Sequence, residues 1–193
     1  ITFIIVPTPS TKNGAFSNKY LVSAVRQIGK VLSKKDKFHL VVVVSTIMPT
    51  SMDNEIIPAL EKSSRKKIKK DFGICYNPEF IALGSVIDNL LNSDFVLIGE
   101  SDKKSGRMLE SFYRKFSINK PPIVRMNFIN AEIAKIALNS YITTKISLAN
   151  TLAQICESVP EGNVDQVTNA LGLDSRIGKK YLITNHYIFS RKI

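Results

Sequence analysis

No stretch of the sequence approaches the run of about 18 apolar residues that a membrane span needs, so no transmembrane helix is expected. No basic leader precedes an apolar core. The chain opens directly on ITFIIV, and no secretory signal is expected. There are two cysteines, Cys75 and Cys156, both inside apolar stretches. They read as reduced core residues rather than a disulfide, which fits a cytoplasmic protein. Neither has His, Cys or Asp company at the spacing of a metal site or an activated thiol, so no metal centre is expected. A GxGxxG is also missing. A dinucleotide-binding sheet normally begins with a strand and a Gly-rich turn, which lets backbone amides approach a pyrophosphate. Here the chain starts on a strand with no partner before it, and the first part of such a fold is expected to be absent.

What is present begins with charge. The 27 Lys and Arg against 16 Asp and Glu give a net charge of +11. Much of it lies in KSSRKKIKK, Lys62 to Lys70. That run has no interleaved aromatic for base stacking and no nucleic-acid fold signature. It lies between a helical and a strand pattern and reads as a solvated connection, so no nucleic-acid partner is expected. The positive charge can help attract an anionic small molecule.

Along the chain, Ile1–Val6 and HLVVVV (His39–Val44) are continuous apolar runs, the mark of strands buried on both faces. Phe72–Tyr76, Phe95–Ile98 and Ile123–Arg125 read as further strands. Lys19–Leu32, Asp53–Lys62 and Asp102–Lys115 carry helical patterns between them. Strand and helix alternating with short connections predict an α/β fold with a parallel sheet. Three strands end in polar tips: Thr8, then Ser45-Thr46, then Asn77 to Glu79. In such sheets ligands sit at the carboxyl ends of the strands. Ser, Thr and Asn also favour turns for their own reasons, so the tips alone leave both readings open.

Asn127–Glu157 is the longest stretch without Pro or Gly. Asn127 is placed to cap a helix, and Pro160 and Gly162 to stop it. At 1.5 Å per residue the helix spans about 45 Å. Its apolar residues wrap around the axis, which predicts burial on every side, within a domain or between subunits. Glu132 falls where negative charge suits a helix N-terminus. Lys135 and Asn139, four apart, share a face. They are either a lysine reaching to solvent and an asparagine bonding a loop, or a cation and an amide aimed at an oxygen that becomes negative during a reaction. Residues 163 to 182 offer one amphipathic helix and a polar turn.

Five ordered motifs then resemble the UDP-glucose/GDP-mannose dehydrogenase family: VPTP (Val6–Pro9), STIMP (Ser45–Pro49), YNPEFIALGS (Tyr76–Ser85), AEIAKIALNSY (Ala131–Tyr141) and LGLDSRIGKKYL (Leu171–Leu182). The resemblance implies an NAD-dependent nucleotide-sugar 6-dehydrogenase, which oxidises the sugar C6 hydroxyl to a carboxylate in two hydride transfers through a thiol-bound intermediate. It implies the second half of an NAD-binding, Rossmann-like domain over 1–126. Over 127–193 it implies an incomplete helical domain built on the long helix, which forms a homodimer. Val6, Thr8, Pro9, Ser45 and Thr46 would contact NAD. Glu79, Phe80, Ile81, Lys135 and Asn139 would meet the nucleotide sugar, with Lys135 and Asn139 holding the C6 oxygen. Thr46 and Glu79 would order a water for hydrolysis, and Arg176 would reach a substrate site of the partner subunit.

Two departures qualify that picture. Leu83 stands where many relatives carry a second Glu. After Leu182 the sequence is ITNHYIFSRKI, with neither the Gly-rich segment nor the catalytic Cys of the family. The chain as given is therefore expected to be inactive alone. The β-hydroxyacid dehydrogenases, which also carry Lys and Asn four apart on a long helix, are a related alternative that VPTP, NPEF and LGLDSRIG disfavour. A remnant that survives as a dimerisation or basic binding module is an alternative of another kind.

Overall fold

The computed structural model describes residues 1–81 and 84–182. Leu83 and the segment after Leu182 lie outside the described residues. Packing divides the chain into two units, 1–135 and 136–193, with the division inside the long helix.

The first unit holds five strands: β1 (Thr2–Ile4), β2 (His39–Val43), β3 (Phe72–Tyr76), β4 (Val96–Glu100) and β5 (Ile123–Met126). They form one sheet in chain order. Alternation along each strand supplies two cores. Ile4, Val41, Val43, Ile74, Tyr76 and Leu97 face one side. Leu40, Val42, Cys75, Val96 and Ile98 face the other. The first side is covered by α1 (Lys19–Leu32), through Leu21 and Val25, and by α2 (Ile57–Ser64), through Leu60. The second is covered by α4 (Lys103–Phe116), through Leu109 and Tyr113. A short helix, α3 (Val86–Leu91), has no buried residue.

The parallel sheet expected from the sequence is found, with one antiparallel pair in it. β1, β2 and β3 are parallel and β4 is parallel to β5, but β3 and β4 are antiparallel, with Cys75 opposite Glu100 and Tyr76 opposite Gly99. Among the described residues no covering helix carries the chain back across a face between β3 and β4, because α3 buries no residue, and a strand that enters from the edge where its neighbour ended must run the other way.

The helix expected over Asp53–Lys62 is also divided. A π-helical turn, Met52–Ile56, leads into α2, and the Ile57 amide donates to the Met52 carbonyl five residues back. Pro58 lacks the N–H that an α-helical bond to Asn54 needs, and the wider turn accommodates its ring. The lysine-rich connection behaves as a charged surface: Lys67 pairs with Glu61 at 2.9 Å and Lys66 donates to the Lys35 carbonyl.

The long helix, α5 (Phe128–Glu157), starts as expected, with the Asn127 side chain accepting from the Asn130 amide at 3.0 Å. Its first turns lie on the sheet. A Cβ at Gly99 would stand 2.9 Å from Ala131 and 3.3 Å from Phe128, so the glycine is what lets helix and strand approach.

In the second unit the rest of α5 is accompanied by α6 (Val164–Leu173), capped by Asn163. Ala149, Ala153, Thr168, Gly172 and Leu182 are buried. Burial on every side, the expectation for α5, does not hold within one chain. Tyr141 is 59%, Leu148 48% and Ile155 53% exposed, because this unit has too few elements to surround a helix of this length. Among the described residues no helix is long and apolar enough to cross a membrane.

Candidate active site

Because β1, β2 and β3 are parallel, their polar tips emerge along one edge of the sheet. The tips are tied to one another by backbone and side-chain bonds. The Ser45 hydroxyl donates to the Val6 carbonyl at 2.7 Å and accepts from the Val6 amide at 2.9 Å. It is thereby committed to holding the end of β1 against the end of β2. The Asn77 amide donates to the Val43 carbonyl at 2.8 Å, which joins the tip of β3 to β2. Thr8 and Thr46 are half-buried and Pro9 is exposed. The Pro9 carbonyl accepts from the Ser17 amide at 2.9 Å, closing the loop that leads to α1.

Asn77 is buried, and both ends of its side-chain amide are bonded. Its side-chain nitrogen donates to the Leu97 carbonyl at 2.8 Å, and its oxygen accepts from the Tyr113 hydroxyl at 2.5 Å. One asparagine thus connects β2, β3, β4 and α4 directly beneath the Pro78–Glu79–Phe80 turn. Tyr113 could not be assigned from its position in a helical apolar stripe, where a phenol and a plain ring are equally suitable.

The turn above Asn77 meets α5. The Lys135 ammonium donates to the Glu79 carbonyl at 2.5 Å and lies 4.6 Å from the centre of the Phe80 ring. That ring is in turn 4.8 Å from Phe95. Lys135 is 7% exposed, which disposes of the reading in which it reaches to solvent. Burial lowers its pKa, and the charge of Glu79 opposes that shift. Burial raises the pKa of Glu79, and the charge of Lys135 opposes that one. A partly desolvated ammonium over an aromatic face is a strong, fixed hydrogen-bond donor, the kind of group that stabilises charge developing on an oxygen. Ile81, next in the turn, is 37% exposed.

Glu132 has a different role from the one its sequence position suggests. Its fully buried carboxylate accepts from the Thr50 amide at 2.7 Å and the Met52 amide at 2.8 Å. It serves the start of the following π turn and not the start of its own helix. The signal available in the sequence was a lone carboxylate inside INAEIAKIAL, three residues before Lys135.

The remaining residues lie in the second unit. Asn139 follows Lys135 by four residues on α5 and is exposed. Arg176 is exposed and pairs with Asp174 at 2.6 Å. The Lys145 ammonium donates to the Ile177 and Gly178 carbonyls at 2.9 and 3.2 Å, which holds the turn that presents Arg176. Cys75 is buried, with its thiol pushed far towards the neutral form by desolvation, and Cys156 is half-buried on α5.

At its β1–β2 half the edge carries two half-buried threonines, Thr8 and Thr46. At its β3 half it presents a cation and a carboxylate.

Comparison with known proteins extends this geometry. Residues 1–117 match the family model described as UDP-glucose/GDP-mannose dehydrogenase family, NAD binding domain, and residues 129–186 match the central domain of the same family. The chain is 34% identical over 183 residues to UDP-glucose 6-dehydrogenase AglM of Haloferax volcanii, covering 94% of this chain and 42% of that protein. It is 38% identical over 159 residues to GDP-mannose 6-dehydrogenase of Pseudomonas syringae, covering 82% of this chain and 36% of that one. Among solved structures, a ternary complex of GDP-mannose dehydrogenase from Pseudomonas aeruginosa superposes with a TM-score of 0.82 at 35% identity, over 88% of this chain and 38% of the other. A UDP-glucose dehydrogenase from Pyrobaculum islandicum gives 0.86 at 30% identity, over 94% and 40%. The chain therefore spans well under half the length of these relatives.

Proposed function

Because the chain belongs to the UDP-glucose/GDP-mannose dehydrogenase family, we propose that the full-length protein is an NAD-dependent nucleotide-sugar 6-dehydrogenase and that the sheet edge described above is part of its active site. The observation that carries the reading is the buried Lys135 ammonium held on the Glu79 carbonyl. NAD, when bound, accepts hydride from the sugar C6 carbon. Thr8 and Thr46 offer hydroxyls for its ribose and nicotinamide end, and Val6, Pro9 and Ser45 shape the backbone beneath. Lys135, joined by Asn139 one turn along the helix, holds the C6 oxygen as it gains negative charge. An ammonium that acts only when that charge appears lowers the barrier rather than the substrate's free energy.

Glu79, Phe80 and Ile81 form the wall beside the sugar. Glu79 and Thr46 hold a water for the hydrolytic step that releases the acid, and the raised pKa of Glu79 makes its carboxylate the better base. Full oxidation needs a thiol to hold the aldehyde for the second transfer. Cys75 is sealed in the sheet and Cys156 lies along α5 in the second unit, so the 193 residues alone are not a complete catalyst. Arg176 reaches the substrate site of a second subunit in a dimer built on α5.

The test is NADH production by the purified full-length protein with UDP-glucose, GDP-mannose and their N-acetylated relatives as separate substrates. Turnover with one of them, lowered about 10²-fold or more in Lys135→Ala, supports the reading. Turnover that is unchanged in Lys135→Ala, or none with any nucleotide sugar, sinks it.

A further inference from the structure

Thr50 has a φ of 74°. In that left-handed region the branched Cβ of threonine crowds its own backbone, and glycine is the usual occupant. Thr50 closes the Ser45–Pro49 loop just before the π turn at Met52. Something must hold it there. The neighbouring turns contribute: Ser51 donates to the Met48 carbonyl at 3.1 Å, and Asn54 to the Thr50 carbonyl at 3.0 Å. The contact from outside the loop is Glu132, whose two oxygens take the Thr50 and Met52 amides separately at 2.7 and 2.8 Å. Only a carboxylate can do this with both atoms. An amide in its place would turn an NH₂ group towards one of the two N–H donors. Three residues further along α5 stands Lys135, anchored on Glu79.

We propose that Glu132 is a positioning residue, which fixes the strained Ser45–Thr50 loop, and Thr46 with it, to the helical turn that carries Lys135. The proposal rests on the dehydrogenase reading in so far as Thr46 and Lys135 serve one reaction. The carboxylate is occupied by the Thr50 and Met52 amides, so the glutamate acts through the loop it holds and not on the reacting atoms. It sets the registration of that loop against the helical turn of Lys135.

The test uses the full-length protein with Glu132→Gln, Thr50→Gly and the double variant. Two quantities are measured: turnover at saturating NAD and sugar, and hydrogen exchange of the Thr50 and Met52 amides. The expected result for Glu132→Gln is a folded protein with kcat reduced about tenfold or more and faster exchange at both amides. Adding Thr50→Gly restores a large part of each, because glycine takes the positive φ without help. A role confined to stability predicts otherwise: a lower melting temperature, unchanged kcat, and no rescue by glycine at position 50. That pattern overturns the proposal. If Glu132→Gln does not fold, Thr50→Gly in the native background decides. A raised melting temperature supports a strained loop held by Glu132, and an unchanged or lowered one overturns it. If the native protein turns over no nucleotide sugar, the dehydrogenase reading falls, and the exchange measurements still judge the positioning role.

Discussion

The Lys135 ammonium lies on the backbone carbonyl of Glu79, and the two side chains shift each other's charge in opposite directions. Burial pushes the lysine towards its neutral form and the glutamate towards its neutral form. Each charge restrains the other's shift. The pair therefore keeps an ammonium in a desolvated place, where it is costly for stability and useful for chemistry.

In the full-length protein, Lys135→Ala is expected to lower kcat by about 10²-fold or more, since its interaction is realised fully in the transition state. NAD affinity should stay within a few-fold. Steady-state rates and a cofactor titration read the two separately, and unchanged turnover at saturating substrate would reject the role.

The pH dependence follows from the lowered pKa of Lys135. In the proposed role the protonated form is the active one, so turnover should fall as pH rises through a value below the usual lysine range. Stability moves the other way. The unfolded chain binds this proton up to about pH 10.4, while the folded chain releases it earlier. Stability contributed by this group should therefore rise with pH between the two values. Lys135→Met removes that rise, which chemical unfolding at several alkaline pH values would detect.

Tyr113→Phe leaves the buried Asn77 oxygen without its donor. The expected cost is about 1–3 kcal/mol, read by denaturant unfolding. Asn77 supports the Glu79 turn, so kcat should fall as well. A variant as stable as the native protein would show that the contact at 2.5 Å contributes nothing net.

Ile155 and Leu148 are half-exposed on α5, in a second unit with little else to cover them. Leu152→Glu with Ile155→Glu is expected to convert a full-length dimer into monomers, by sedimentation at a concentration on the order of 10 µM. A native protein that is already a well-folded monomer there would exclude the interface.

Local pattern made much of this fold legible. Lys19–Leu32 and Phe72–Tyr76 have the bounds that their apolar spacing predicts. The direction of β4 was not legible, because Val96–Glu100 presents the same alternation whichever way it runs. The π turn was hidden for a related reason: Pro58 forbids one bond but does not say which wider bond replaces it. At the site, the strand tips and Lys135 stood out as polar residues among apolar neighbours. The partners did not. Glu132 finds Thr50 and Met52, and Tyr113 finds Asn77, only through packing of elements distant in sequence.

The sheet of the first unit is arranged in chain order, so each strand pairs with the one made immediately before it. The site contacts are of another kind. The bonds from Glu132 join residues 82 and 80 positions apart, and the bond from Lys135 joins residues 56 apart. The entropy of closing a loop grows with its length. Sequential strand addition can therefore run ahead of site formation, both in refolding and on the ribosome, where β1 to β3 emerge well before α5. The order of assembly leaves the proposed catalytic lysine among the last groups to reach its place. A protein slowed at that step would hold an intact sheet with an unfinished edge.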